Sequence, residues 1–343
     1  MSVAPSLADD EFLSRAEPYR RELLAHCYRM MGSIHDAEDQ LQETLLRGWK
    51  GYGSYRQQAS LRTWLHRIAT NTCLTALESR SKRPLPSGLG APDSDPDADL
   101  VERHEIPWLG PVPSRMLEWD DDPGAVVSSR ETVRLAFVAA LQHLPPRQRA
   151  VLILRDVLQW RASEVADAVG SSVPAVNSLL QRARTQLERV APTESDVVEP
   201  NSDTERAQLA RWVEAFESYD LDAIVSMFTD RAVWEMPPFD GWYVGGPAIG
   251  RLIGGNCPAE RAGDMRLLPT SANGQPAFGL YMIDHSCTGT GDTTRPAVHR
   301  AFQLQVLNLT EHGVDHAVAF FEPGLFAQFG LPETLPPTSP NDG

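Results

Sequence analysis

Four cysteines in 343 residues, Cys27, Cys73, Cys257 and Cys287, are too few and too scattered for a disulfide framework. None forms a CxxC pair or stands beside histidines at zinc spacing, so no structural metal and no cofactor is expected. They read as thiols buried in a reducing compartment. Long apolar runs are missing too, for uninterrupted stretches fall far short of the ~20 residues that cross a bilayer. The N-terminal stretch is acidic (Asp9, Asp10, Glu11) where a leader would be basic and then apolar. These absences predict a cytoplasmic chain with no membrane partner. There is no internal repeat. What remains is a globular composition, 42% hydrophobic and 22% charged, with length for two or three packed domains.

A net charge of −15 argues against a nucleic-acid partner only if it is evenly spread. It is not: the charge is +2 over residues 1–83, −8 over 84–123, +4 over 124–191, −5 over 192–205 and −8 over 206–343. Two slightly basic modules are thus joined by an acidic segment and followed by an acidic module. Residues 84–123 hold eight prolines and the aspartates Asp93, Asp95, Asp97 and Asp99, which predicts a linker, extended here to 84–129 to include the lead-in to the next helix. An apolar island inside it, Ile106 to Pro113, makes Trp108 and Leu109 candidates for a regulatory contact, or for loose docking on a neighbouring domain. A second linker is expected at 192–205 and a tail at 335–343.

The first module, 1–83, reads as all helix. Tyr19 to Met31 places Leu23, Leu24 and Cys27 inward. Asp36 to about Lys50 places Ala37, Leu41, Leu45 and Trp49 inward, and Ser60 caps a third helix through Leu61, Leu65 and Ile68. In the module 130–191, Val133, Phe137, Leu141 and Leu144 form one stripe, ended by Pro145-Pro146, and Arg147 to Val157 makes the next helix. Ser163 to Val169 is then a short helix stopped by Gly170, and Ser172 caps a longer one. Short helix, glycine turn and long helix make a helix-turn-helix. The last module, 206–334, opens with helices from Ala207 to Tyr219 and on to about Phe228. Strands follow at 232–236, 278–284, 300–309 and 314–321, an α+β domain with a mostly antiparallel sheet.

If Val176, Leu180, Ala183 and Leu187 face the core, then Ala175, Ser178, Gln181, Arg182 and Thr185 face outward, with Ser172 at the helix start. Gln can pair with adenine, Arg with guanine or phosphate, and small residues let a helix enter a groove. Arg184 and Arg189 flank this face as backbone contacts. On the Asp36 helix, Asp36, Asp39 and Glu43 share a face with Gln42 beside them. Helix-dipole preference explains acids in the first turn but not Glu43, so a basic docking partner is implied. Between Gly51 and Trp64, aromatics alternate with glycine, basic and amide residues ahead of a helix bearing Arg62, His66 and Arg67. Rings beside cations suit unpaired bases, although Trp64 also suits a core.

These segments resemble a known family. Tyr28-Arg29-Met30-Met31-Gly32-Ser33, the run Asp36 to Thr44 and the run Ser60 to Asn71 look like region 2 of an extracytoplasmic-function (ECF) sigma factor of the sigma-70 class. Leu144 to Leu152 and Glu164-Val165-Ala166 resemble its region 4. Trp234 to Pro238, Ala272 to Ala277 and Phe329 to Pro332 resemble a SnoaL-like domain of the cystatin-like α+β cone fold. The resemblance implies that Asp36, Asp39, Gln42 and Glu43 dock on the clamp helices of core RNA polymerase. It implies that Tyr52, Tyr55, Arg56, Arg62, Trp64, His66, Arg67 and Asn71 read the −10 element of promoter DNA, and the helix after Ser172 the −35 element. It also implies that the C-terminal domain modulates activity. Gln40 departs from the family, where an apolar residue is commoner.

The last module carries Asp240, Asp284, His285, His299 and His316, which form no tight constellation, so no catalytic residue and no enzyme activity is expected. Trp234, Trp242 and Tyr243, with Phe239, suggest a pocket for an unknown small ligand or simply a core. The expectation is a monomeric sigma factor. The alternatives are a ligand-responsive helix-turn-helix regulator, which leaves the first module unexplained, and a pocket enzyme fused to DNA-binding helices.

Overall fold

Two serines decide where the first module's long helices begin. Ser33 Oγ accepts from Asp36 N at 3.4 Å and Ser60 Oγ from Thr63 N at 3.1 Å, each satisfying an amide that has no partner inside the helix. A computed structural model describes residues 7–56, 59–117, 131–190, 198, 202–284 and 298–336. The chain divides into two compact units, Met1–Pro84 with Pro107–Pro192, and Leu85–Ile106 with Thr193–Gly343.

The first unit is helical. Helices α1 (Leu7–Ala16), α2 (Arg20–Met31), α3 (Ile34–Gly51) and α4 (Leu61–Leu77) form one bundle, and α1 was not foreseen from the sequence. Every residue from Leu23 to Met31 is buried, so α2 is a core helix rather than an amphipathic one, and it takes His26 and Arg29 inside with it. It ends at Gly32, whose φ of 70° suits a residue without Cβ. On α3, Ala37, Gln40, Leu41 and Thr44 face inward. Trp49 does not: it is 42% exposed, because its position lies about 80° around the helix from Leu41 and about 120° from Ala37, toward the face of Gln42 and Leu46.

Helices α5 (Leu135–Gln142) and α6 (Pro146–Leu152), the latter continued by a π-helical stretch Ile153–Val157, lead to α7 (Ala162–Val169) and α8 (Val173–Val190). Gly170 at φ 61° makes the turn between α7 and α8, and Ser171 N donates to Ala166 O at 2.9 Å. These later helices pack on the first bundle through part-buried polar contacts. Arg29 Nη2 donates to Thr132 Oγ1 at 2.9 Å, and Asn71 Nδ2 donates to Ala168 O at 3.2 Å. His66 and Trp160 meet edge to face at 6.2 Å.

The span 84–129 is not a free linker. Residues 107–117 belong to the helical unit: Leu109, Val112 and Leu117 are buried, Leu109 N donates to Pro84 O and Gly110 N to Gly32 O. Arg83 Nη1 donates to Trp108 O at 3.2 Å. Residues 85–106 belong instead to the C-terminal unit. Their prolines and aspartates prevent a core of their own, but backbone hydrogen bonds and buried Leu85 and Pro86 fix them there. Residues 118–130 lie outside the described residues.

In the second unit, α9 (Asp203–Glu217), α10 (Leu221–Ser226) and α11 (Gly246–Asn256) pack on a sheet ordered β2-β1-β6-β5-β4-β3, with β7 on β5. The strands are β1 (Phe228–Glu235), β2 (Trp242–Val244), β3 (Met265–Ala272), β4 (Gln275–Asp284), β5 (Val298–Thr310), β6 (Gly313–Phe320) and β7 (Thr334–Leu335). The pair β1 and β6 is parallel and the other pairings are antiparallel, giving an α+β cone with a mixed sheet. Most of the expected linker 192–205 lies outside the described residues, but Val198 is buried and bonded to Leu309 O, and α9 already begins at Asp203. Leu335, expected to open the tail 335–343, is instead buried in β7, and 337–343 lie outside the described residues.

Candidate polymerase and promoter DNA interfaces

The outward face of α3 is built from residues three and four apart: Asp39, Gln42, Glu43, Leu46 and Trp49. Leu46 is 43% exposed, so an acidic face carries two large apolar side chains in water. The sequence reading missed both, taking Trp49 for core. Glu43 receives Arg47 Nε at 2.6 Å, an exposed pair that holds little energy. Asp36, predicted to share this face, is instead bound by Arg80 and Arg83, with Arg83 Nη2 at 2.6 Å. Its carboxylate is largely covered and serves the fold, since Arg83 also holds the Trp108 carbonyl.

Beyond α3 the rings form a ladder. Phe12 meets Tyr52 at 5.3 Å, Tyr52 stacks on Tyr55 at 6.2 Å, and Tyr55 meets Trp64 at 4.9 Å. Arg15 Nη1 donates to Tyr52 Oη at 2.7 Å, and its guanidinium lies over the same ring. Helix α1 therefore braces the base of the ladder. The three outer rings, Tyr52, Tyr55 and Trp64, are half-buried, and Arg56 and Arg67 are exposed nearby in sequence.

The remaining predicted base readers on α4 are engaged within the fold. Arg62 pairs with Glu22 at 2.6 Å, and that hydrogen bond raises the Arg62 pKa. Asn71 holds Arg67 O and Ala168 O. His66 is 1% exposed, wedged between His26, Glu22 and Trp160, so it is a core histidine in this conformation. Helical spacing alone does not reveal that a second module covers this face.

Burial lowers the pKa of both His26 and His66. For His26 the neighbouring His66 and Arg29 add to it, while for His66 the Glu22 carboxylate opposes burial without overcoming it. The folded state therefore keeps these rings neutral while an unfolded chain takes up protons near the ordinary value of about 6.5. Their contribution to stability is complete above about pH 6.5 and is lost as pH falls from there toward the folded values. The unfolding free energy from urea denaturation should drop from pH 7.5 to 5.5, with a slope of at most ~1.4 kcal/mol per pH unit for each ring. In His26→Gln, which can keep a bond to Thr70, that slope should shrink. An unchanged slope would remove His26 as its source.

On α8, Val176, Leu180 and Ala183 are buried. Ser172, Ser178, Gln181 and Arg182 are exposed, with Ala175 and Thr185 half-buried, so the predicted outward face is intact. Ser172 Oγ accepts from Ala175 N at 3.4 Å. Arg184 is turned away to Asp156, with Nη2 at 2.6 Å.

Two stretches match known family models: Sigma-70 region 2 at residues 16–83 and Sigma-70 region 4 at 134–187. The ECF RNA polymerase sigma factor SigG of Mycobacterium tuberculosis is 58% identical over 326 residues, covering 95% of this chain and 85% of SigG. The chain belongs to the ECF sigma factors. SigJ of the same organism is 29% identical over 215 residues, 63% of this chain and 61% of SigJ. The crystal structure of M. tuberculosis SigJ matches with a TM-score of 0.60 at 22% identity, over 93% of this chain and all of that one, so the fold extends through the C-terminal domain. A helix-turn-helix regulator without a polymerase-binding region is thereby not favoured.

For this sigma factor, substitutions on α8 separate reading from positioning. Gln181→Ala or Arg182→Ala is expected to cost ~1–3 kcal/mol on the preferred −35 sequence and to relax selectivity there. Arg189→Ala should weaken all sequences alike and reduce the salt dependence. Binding titrations on a −35 variant panel check this, and uniform weakening by the first two changes would refute base readout.

The sigma factor's C-terminal candidates are dispersed. Trp234 and Tyr243 are buried in the interior of the domain. Trp242 is half-buried and its Nε1 donates to Ala91 O at 3.1 Å, while its backbone exchanges bonds with Ser94. His316 Nε2 lies 2.8 Å from buried Glu235, whose other oxygen accepts from Ser87 N. Asp284 pairs with Arg300, and His299 Nε2 lies 2.8 Å from Gly263 O. His285 lies outside the described residues. Among the described residues no helix is long and apolar enough to cross a membrane, and no group of three or more His, Cys, Asp or Glu is placed to hold a metal.

Proposed function

We propose that this ECF sigma factor carries core RNA polymerase to its promoters with the work divided among three surfaces. The α3 face of Asp39, Gln42, Glu43, Leu46 and Trp49 docks on the polymerase. The ladder Tyr52, Tyr55 and Trp64, with Arg56 and Arg67, takes up the opened −10 strand. Helix α8 reads the −35 duplex. The observation that carries the assignment is that these three sets are presented outward on one helical unit while their own helices' apolar faces are buried. It acts in the cytoplasm, where polymerase and chromosome are, and it initiates transcription without catalysing a reaction of its own.

Because Trp160 lies against buried His66 and Asn71, though exposed, is bonded to Ala168 O of α7, the free chain is a closed form, and promoter opening requires region 4 to leave α4. The C-terminal domain influences that change through residues 85–106. This strap lies between the two sigma regions in sequence and is bonded to the C-terminal domain by Ala91, Ser94, Val101 and Arg103. Run-off transcription with purified core polymerase tests both statements. The full chain should support promoter-dependent transcripts, and Trp242→Ala, which removes the indole bond to the strap, should change their yield. No transcript from any promoter upstream of its own gene overturns the sigma reading; an unchanged yield in Trp242→Ala overturns the strap reading alone.

A further inference from the structure

The helix-covered face of the C-terminal sheet holds hydrogen-bonding groups that the protein leaves unmatched. Register places Trp234 beside Ala317, Ala317 beside Leu307, and Ala319 beside Gln305, while Gln305 and Gln303 stand opposite Phe278 and Leu280. Directly paired side chains share a face, so Trp234, Gln303 and Gln305 point the same way. Trp212 of α9 identifies which way, since its Nε1 donates to Gln305 Oε1 at 2.9 Å. These side chains point toward the helices.

Three polar atoms on that face have no partner: Trp234 Nε1, Gln305 Nε2 and Gln303 Oε1. Their residues are 2%, 0% and 6% exposed. Buried polar groups are ordinarily satisfied, and one orphan is already uncommon. Three on one face, separated only by the small Ala317 and Ala319, describe a complementary set of two donors and one acceptor. Among the described residues beside these three atoms none is ionised: Arg300 and Asp284 pair with each other at the far end of β4 and β5, and Glu235 points to the other side of the sheet, where it is occupied by His316 and Ser87 N. An ion placed there would be buried unpaired.

We propose that this interior binds a small, neutral, mostly apolar molecule that carries a carbonyl acceptor and a hydroxyl or amide donor. The carbonyl takes the indole and Gln305 N–H groups, the donor goes to Gln303 Oε1, and Phe278, Leu280 and Leu307 supply the apolar wall. At the Gln303 end of the face the half-buried rings of Phe239, Phe302 and Phe321 meet edge to face at 5.3 and 5.2 Å and close the site. The Phe239 loop is zipped to the strap: Arg103 N donates to Pro238 O, Asp240 N donates to Val101 O, and Glu102 bridges to Phe239. A molecule that moves Phe239 moves the strap. This coupling rests on the strap reading above, whereas the site itself does not.

The test uses the full chain with three probes: para-hydroxyacetophenone, para-ethylphenol, which lacks the carbonyl, and para-hydroxybenzoate, which adds charge. Calorimetry should give saturable binding of the first and about tenfold or weaker binding of the other two. Gln303→Leu removes an unsatisfied group, so it should leave the ligand-free melting temperature unchanged or raised while weakening the first probe about tenfold. Trp234→Phe should keep the fold and weaken it likewise. The proposal is overturned if para-hydroxyacetophenone does not saturate, if both variants bind it as the parent does, or if a crystal soaked in it shows only ordered waters on the three atoms. Binding with no change in run-off yield refutes the strap coupling and leaves the site standing.

Discussion

Replacing Arg149 by methionine is expected to destabilise the helical unit by about 3–5 kcal/mol, although the side chain carries no carboxylate partner. Arg149 is 2% exposed and donates to Gln142 Oε1 at 2.7 Å, to the backbone carbonyls of Gln142 and Leu144 at 3.3 and 3.2 Å, and to Met30 O. Those carbonyls lie at the C-terminal ends of α5 and α2, where helices leave acceptors unfilled and favour a cation. Burial lowers the Arg149 pKa to about 10, so its charge is held at a cost, and methionine recovers that cost. The loss is larger: bonds to a charged donor are worth ~1.5–3 kcal/mol each, and each stranded acceptor costs ~1–3 kcal/mol. Lysine should fare nearly as badly, since a compact ammonium does not reproduce the guanidinium fork. Urea denaturation of the full chain measures the effect. A double-mutant cycle with Gln142→Ala should show coupling above ~0.5 kcal/mol, and strict additivity would mean that Arg149 does not join the two ends.

On the α3 face, Asp39→Lys with Glu43→Lys should reduce affinity for core polymerase by several kcal/mol, because unpaired like charges would meet a basic surface. Trp49→Ala alone should cost ~2 kcal/mol or more, roughly 30-fold in Kd, if the exposed ring is the anchor that fills a pocket on the partner. Neither change should lower the melting temperature appreciably, since Asp39 is exposed and Trp49 is 42% exposed. Fluorescence anisotropy with labelled sigma factor and purified core polymerase checks both. Affinity equal to the parent in the charge-reversed protein would mean that polymerase docks elsewhere.

Local physics made much of this sigma factor legible in its sequence. Serine caps at Ser60 and Ser172, the stop at Gly170 and the stripe Val176, Leu180, Ala183 depend on residues within a few positions of one another. The helix-turn-helix and its outward Gln181 and Arg182 could therefore be read without the fold. Alternation did the same for β5 and a β-rich run for β6, and the motifs around Tyr28 to Asn71 and Leu144 to Leu152 identified the family. The extra domain was visible as a switch from helical to strand periodicity.

Contacts between distant segments left no such trace. The strap 85–106 was taken for linker because it is anchored largely through backbone amides and carbonyls, which every sequence possesses, and its prolines and aspartates speak only against a core of their own. His66 reads as a groove-facing base reader until Trp160, 94 positions later, is brought against it. Asp36 belongs to an acidic face until Arg80 and Arg83 fold back on it. Arg29 and Arg149 look like surface cations until tertiary packing wraps them in carbonyls. The orphaned trio in the C-terminal domain depends on strand register, which sets which side chains share a face. Helix positions and family membership were thus determined by the sequence through short-range geometry. Tertiary structure alone decided which charged and aromatic groups are buried, because burial depends on what the rest of the chain brings over them.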